Sequence, residues 1–313
     1  MSSKMTKFTP SPVETISKGQ NTRAPRAGKY YVPPVHIDDI PQFSFKELLE
    51  MSRFNNIDKM DIHVDERYGT KFMYIGNLLE NPLDLRNLLT KFPAEKKQDS
   101  AIEAEKEGGK SFSNSKAPGM QQPIERQLMP ALGNELFFLA KRLNFLKFKQ
   151  EAVTWKYFTN CFYPKMKAYN RNYLPHMDPF TYAANIFLTE SEDSGTTFFR
   201  VYNPETDKFY YNMSQCMAPS CTEDGTRRWY VDNLKERYGY NEKGTPERPI
   251  VAPINVGVED WKFFKGDDFY DGYLHLPARF NTMSFYRGNR WHSASFDAEN
   301  AETTRYSLVG VIE

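Results

Sequence analysis

A mainly β fold with supporting helices is the class this sequence predicts, and three observations predict it. Among 313 residues there are 24 Phe and 19 Tyr, flat rings that pack well on a pleated, half-buried surface. Many short strand-like stretches recur through the second half, separated by turn signals, as in a sandwich or barrel. Hydrophobic residues make up 40% of the chain, enough for a sizeable core in one large domain with additions or two small ones.

Residues 1–40 are rich in Ser, Thr, Lys and Pro. Such a segment buries little by itself and is expected to be a flexible or extended arm. Residues 41–149 are expected to supply helices and strands that brace the core. Phe45 to Met51 reads as a short helix with Ser44 as N-cap, and Pro82 to Leu89 as a second helix with proline in its first turn. Lys59–Asp65 and Lys71–Gly76 read as a hairpin closed by Tyr68-Gly69-Thr70. Residues 95–118 lack apolar periodicity and are expected to be a surface loop. A long amphipathic helix, interrupted by Gly133, is expected from Ile124 to Phe145.

From about residue 150 to 313 the chain reads as the β core. Strands are expected at Trp155–Phe158, Tyr182–Leu188, Thr196–Tyr202, Phe280–Tyr286, Trp291–Phe296 and Tyr306–Ile312. Residues 203–275 read as a polar, aromatic-rich insertion with a helix around Arg228–Tyr238.

Charge excludes some functions. With 41 basic and 40 acidic residues, no global field argues for nucleic acid or an anionic membrane. Arg227-Arg228-Trp229-Tyr230 has the composition to stack on a base, but a snorkelling arginine patch is the commoner reading. Three cysteines, Cys161, Cys216 and Cys221, are too few for a disulfide framework. No signal-peptide or membrane-spanning run is present, so a cytoplasmic protein is expected.

The chemistry-bearing pattern is His-x-Asp, whose two side chains point to one side of a strand. Two imidazoles and one carboxylate form the facial triad of non-haem iron oxygenases, so a second histidine must come from elsewhere. The pair occurs three times, at His36–Asp38, His63–Asp65 and His176–Asp178. The first lies in the polar arm. The second lies in a regular strand, with its side chains expected on the solvent face. The third stands at a strand entrance, and only it has further parts downstream. Gly195-Thr196-Thr197-Phe198 marks a tight turn into a strand, and Arg290-Trp291-His292 brings a histidine to the start of another. Arg305 and Ser307 share a face of the last strand, so a guanidinium fork and a hydroxyl can meet one carboxylate.

Each part has a plainer reading when taken singly. His176 and Asp178 can be a structural hydrogen-bonded pair, His292 a core histidine beside Trp291, and Arg305 a surface arginine. His275 is a competing ligand, read as an insertion or pocket-rim residue.

Taken in order, Tyr169…His176-x-Asp178…Gly195-Thr-x-Phe198…His292…Arg305-x-Ser307 resembles the prolyl-hydroxylase-like branch of the Fe(II)/2-oxoglutarate-dependent dioxygenases. Uncharacterised bacterial and phage-encoded members are the most similar. The resemblance covers residues 150–313, and Tyr74 to Pro82 is similar to the opening strand and helix of that branch. It implies a double-stranded β-helix (jelly-roll) core, with His176, Asp178 and His292 as iron ligands. It implies that Arg305 binds the distal carboxylate of 2-oxoglutarate, assisted by Ser307 and Tyr169. The implied activity is hydroxylation of a substrate with O2, Fe(II) and 2-oxoglutarate, releasing succinate and CO2. Peptidyl proline, another amino-acid side chain or a small molecule are the substrate classes. Arg305 departs from the lysine of collagen-type prolyl hydroxylases, and no second arginine follows it as in alkylation-repair demethylases. The rival reading is a non-catalytic jelly-roll, a structural or assembly protein of a phage that keeps the fold.

Overall fold

The computed structural model describes residues 14–15, 44–90, 120–124, 132–145, 155–162, 175–178, 180–190, 194–238, 266–296 and 305–312. The strands are β1 (Glu14–Thr15), β2 (Asp61–Arg67), β3 (Thr70–Gly76), β4 (Met120–Ile124), β5 (Trp155–Phe162), β6 (Tyr182–Phe187), β7 (Gly195–Asn203), β8 (Lys208–Tyr210), β9 (Tyr270–Pro277), β10 (Thr282–Arg287), β11 (His292–Ser295) and β12 (Arg305–Ile312). The helices are α1 (Phe45–Met51), α2 (Pro82–Leu89), α3 (Leu132–Arg142), α4 (Met213–Cys216), α5 (Ser220–Glu223) and α6 (Thr226–Tyr238).

Two sheets result. The larger has the order β2-β3-β10-β6-β12-β5-β4, and the smaller β1-β9-β7-β11 with β8 also on β7. From β5 onward the chain passes repeatedly from one sheet to the other. After β5 it crosses to His176, which is bridged to β11, then returns to β6. Strands β7 and β9 lie in the smaller sheet, β10 in the larger, β11 in the smaller and β12 in the larger. This interleaving makes the core a double-stranded β-helix, in which sequence neighbours face one another and spatial neighbours are far apart in the chain.

Period-two alternation sorts the side chains. Met73, Ile75, Ala184, Ile186, Met283, Phe285, Leu308 and Ile312 turn to the outer side of the larger sheet and join Leu85, Leu88, Leu89, Leu136 and Phe137 in one core. On the outer side of the smaller sheet, Phe199, Val201 and Trp291 join Cys216, Tyr230 and Leu234 of the 204–269 segment. Between the sheets lie Phe72, Tyr74, Ala183, Phe198, Leu274, Leu276, Tyr286, Val309 and Val311.

Local signals explain the bracing elements. Ser44 Oγ accepts from the Glu47 amide and the Glu47 carboxylate accepts from the Ser44 amide, a capping box that starts α1. Pro82 opens α2, where its missing N–H costs nothing.

Four expectations need correction. Met120–Ile124 is a strand at the edge of the larger sheet, so Ile124 does not open the helix, which among the described residues covers Leu132–Arg142, with Gly133 near its start. Pro123 is tolerated because β4 pairs on one side only. The 203–275 insertion is shorter at both ends, since Asn203 completes β7 and Tyr270–His275 belongs to β9. Arg228 does not snorkel: its side chain is 89% exposed and lies beside Asp232, while Tyr230 is buried and presents no face to a base. Along β2, Val64 is exposed at 44%, whereas His63 and Asp65 are half-buried. Ile62 packs on the outer core and Val64 runs past its margin. Cys216 and Cys221 are free and buried, and the Cys221 thiol donates to the Gln215 carbonyl. Among the described residues no helix is long and apolar enough to cross a membrane.

Candidate metal centre

Three of the sequence-predicted residues converge. His176, Asp178 and His292 each offer a ligand atom, and these atoms lie within 4.8 Å of one another. The backbone sets this. His176 and His292 form an isolated antiparallel bridge, exchanging N–H to O bonds of 2.9 Å in both directions. The Asp178 amide donates to the Gly288 carbonyl at 2.9 Å, which pins the second half of the motif to the turn that precedes β11. A Cβ at Gly288 would stand 2.3 Å from the Phe180 carbonyl oxygen and 3.1 Å from Asp178 Cβ, so only glycine lets the two loops approach this closely.

The hydrogen bonds fix the chemistry of His292. Its Nδ1 lies 2.8 Å from the Arg290 carbonyl oxygen, which can only accept, so Nδ1 carries a proton. In the neutral ring the Nε2 lone pair then faces Asp178 Oδ2 at 3.2 Å. Two lone pairs at that separation need a cation between them, either a proton or a metal ion. His176 Nε2 lies 3.9 Å from Asp178 Oδ1, and its ring is 4.7 Å from that of His292. The donor set of two imidazole nitrogens and one carboxylate fits Fe(II) and leaves the opposite side of an ion open. His176 is the solvent-side member, with a side chain 42% exposed against 4% for His292.

The same contacts move both acidities. Burial would raise the Asp178 pKa, but His292, and after it His176, hold it below the usual range. Burial would lower that of His292, yet Asp178 and the Arg290 carbonyl leave it raised. Both shifts favour the ion-paired form of Asp178 and His292 when no metal is bound.

Behind the triad the interior is polar. Alternation puts Asn185, Thr196, Ser284 and Ser307 on the inner side, one or two layers beyond Phe198 and Tyr286. Asn185 Nδ2 donates to Tyr286 Oη at 2.9 Å and lies 3.4 Å from Thr196 Oγ1. Ser284 Oγ is fully buried with no hydrogen-bond partner among the described residues. Arg305 closes this end, 2% exposed, with Nη1 donating to the carbonyls of Gly195 and Ser295 and its guanidinium 5.1 Å from the Phe187 ring centroid. Gly195 is required there, because a Cβ would meet the Leu276 carbonyl oxygen at 2.1 Å.

Arg305 and Ser307 thus share the inner face of β12 with the triad at the other end of one interior. Tyr169 and the His36–Asp38 copy lie outside the described residues. His63 is not in the cluster. His275, expected at an insertion or pocket rim, lies in β9 on the outer side of the smaller sheet, with Nδ1 2.9 Å from Thr197 Oγ1. The layer of Asn185, Thr196, Ser284 and Tyr286 was not foreseen. Its only sequence signal is polar residues at the inward period of otherwise apolar strands.

No known family's sequence profile matches the chain, and no curated protein matches it. Among solved structures, the chain is similar to the non-heme alpha-ketoglutarate-dependent carbocyclase SnoK from nogalamycin biosynthesis. That match has 14% identity and a TM-score of 0.32, covering 77% of this chain and 78% of the other. It is also similar to EvdMO1, at 9% identity and a TM-score of 0.29, covering 81% of this chain and 55% of the other. The chain therefore spans about half the length of EvdMO1.

Proposed function

We propose that this chain is an Fe(II)- and 2-oxoglutarate-dependent oxygenase that oxidises a C–H bond of an organic substrate, with hydroxylation as the default outcome. The observation that carries this is the His292 tautomer: Nδ1 is committed to a carbonyl, so Nε2 is aimed at a carboxylate that only a cation reconciles with it. His176, Asp178 and His292 are the residues that would hold iron. Arg305 and Ser307 would take the distal carboxylate of 2-oxoglutarate, assisted by Tyr169. With both bound, the group supplies O2 activation coupled to decarboxylation of 2-oxoglutarate to succinate and CO2.

The chain's own residues position and exclude. The Arg290 carbonyl keeps the His292 ring from turning, as outer partners of ligating histidines do. Phe72, Phe198 and Tyr286 are buried rings that keep water from the His292 side of the site. Asn185 and Thr196 offer side-chain polar atoms along the interior between the triad and Arg305.

The test is to load the full chain anaerobically with Fe(II) and 2-oxoglutarate and admit O2. Succinate formation without added substrate, absent in His176→Ala, is the expected result. A wild type that binds neither Fe(II) nor 2-oxoglutarate refutes the enzyme and leaves the structural jelly-roll. Peptidyl proline belongs among the first substrates assayed.

A further inference from the structure

A second arginine stands on the opposite side of the triad from Arg305. Trp291 turns outward into the cluster under the 204–269 segment, so Arg290, like His292, turns inward. Arg290 is 8% exposed. Its Nε donates to Thr70 Oγ1, and its Nη2 to the Tyr68 carbonyl at 3.2 Å. Its Nη1 is buried and meets no acceptor among the described residues. Among the described residues the titratable groups that act on it are Tyr273, Arg287 and Tyr211, none of them a carboxylate. A buried guanidinium without a counter-ion is costly, by several kcal/mol in general. Arg200, in the same layer, shows the usual solution: its Nε donates to Asp271 Oδ2 at 2.7 Å.

The surroundings of Arg290 are aromatic. Tyr68 stacks on Tyr211 with centroids 4.3 Å apart, and Tyr273 meets both edge-on at 5.3 and 5.7 Å. Tyr68 is 49% exposed and leads inward, through Tyr273 and Phe72, to the ring of Phe198 beside His292. Tyr68 also has φ +51° in the tight turn it forms with Gly69. A left-handed conformation costs a side chain such as tyrosine roughly 1–2 kcal/mol, and asparagine or glycine takes it more readily. A strained residue whose ring, hydroxyl and carbonyl are all engaged points to a task for that ring.

We propose that Arg290, with Tyr68 and Tyr211, is the substrate-recognition site, and that the substrate is an aromatic monocarboxylate. This rests on the oxygenase reading, since it names the substrate of that site. One guanidinium edge suits one planar carboxylate, and the tyrosines supply flat apolar contact.

The probes are phenylacetate and its neutral isostere phenylacetamide, titrated into the full chain by calorimetry, both metal-free and loaded anaerobically with Fe(II) and 2-oxoglutarate. Phenylacetate is expected to bind at least about tenfold more tightly than the amide, the scale of a charge-assisted hydrogen bond. Arg290→Gln is expected to abolish that preference. Tyr68→Asn suits the turn while removing the ring and the hydroxyl that accepts from Arg200, and is expected to weaken phenylacetate several-fold in protein that remains folded. If Arg290→Gln does not fold, the two probes on the wild type and Tyr68→Asn decide. Equal binding of acid and amide, no binding of either, or phenylacetate binding unchanged in Tyr68→Asn and Arg290→Gln overturns the proposal. His176→Ala should still bind phenylacetate while losing iron, so failure of the oxygenase reading and failure of this one are separately visible.

Discussion

The two faces of β12 differ more than any two strands of the molecule. Its outer residues Tyr306, Leu308 and Ile312 join an aliphatic core under the helices. Its inner face carries Arg305 and Ser307 before returning to Val309 and Val311. All eight residues are buried. Burial therefore says nothing here about role, whereas the chemistry of each face does: one side is closed by hydrocarbon, the other retains polar groups that hydrocarbon packing would not choose.

The contrast is broken most severely by removing a ligand. His176→Ala or Asp178→Ala should lower Fe(II) affinity more than about 100-fold, beyond the effect of an outer-shell change, measured by metal content after dialysis. Next is the far end of the interior. Arg305→Gln should raise the 2-oxoglutarate requirement about 10- to 100-fold, as expected for a lost charge-assisted contact, measured by succinate formation against co-substrate concentration. On the outer face, Leu308→Ala should cost about 2–5 kcal/mol of stability while iron binding survives in the folded fraction, measured by urea unfolding. If Leu308→Ala abolished iron binding in folded protein, the division of labour would be wrong.

Acidity sharpens the comparison further. Because the folded-state pKa of His292 is raised, its pairing with Asp178 stabilises the metal-free protein fully below the unfolded value of about 6.5. That stabilisation is lost as pH rises through the folded value. A metal must displace the same proton, so metal affinity should increase up to that folded value and then level. Affinity that falls as pH rises between 6 and 8 would contradict this. The smallest effect is expected from Ser284→Ala, which removes a buried hydroxyl without a partner among the described residues. The melting temperature should stay level or rise by the equivalent of up to about 1 kcal/mol, while 2-oxoglutarate binding weakens a few-fold.

Much of this was legible from the chain. The strands of the core are marked off by turn signals, and only His176–Asp178 among three copies had a second histidine and an arginine at workable distances. Other parts were hidden for physical reasons. Met120–Ile124, with two glutamines and a proline, shows no strand alternation of its own, and its strand identity comes from pairing with β5. Asn185, Thr196 and Ser284 are common residues whose direction matters only once register is known. Arg290 lay in a segment read for its histidine, and nothing local shows that Thr70, 220 positions away in the chain, meets it.

The bridge between His176 and His292 carries one last consequence. It is a single rung among the described residues, and β11 continues for only three residues beyond it, Ser293 to Ser295. A slip of one residue in that short strand would send His292 to the outer side and Trp291 inward. Misregistered chains would then lack a complete ion site, so the ion would reward only the correct alignment. An ion held by the triad would therefore favour the correctly registered chain over the slipped one.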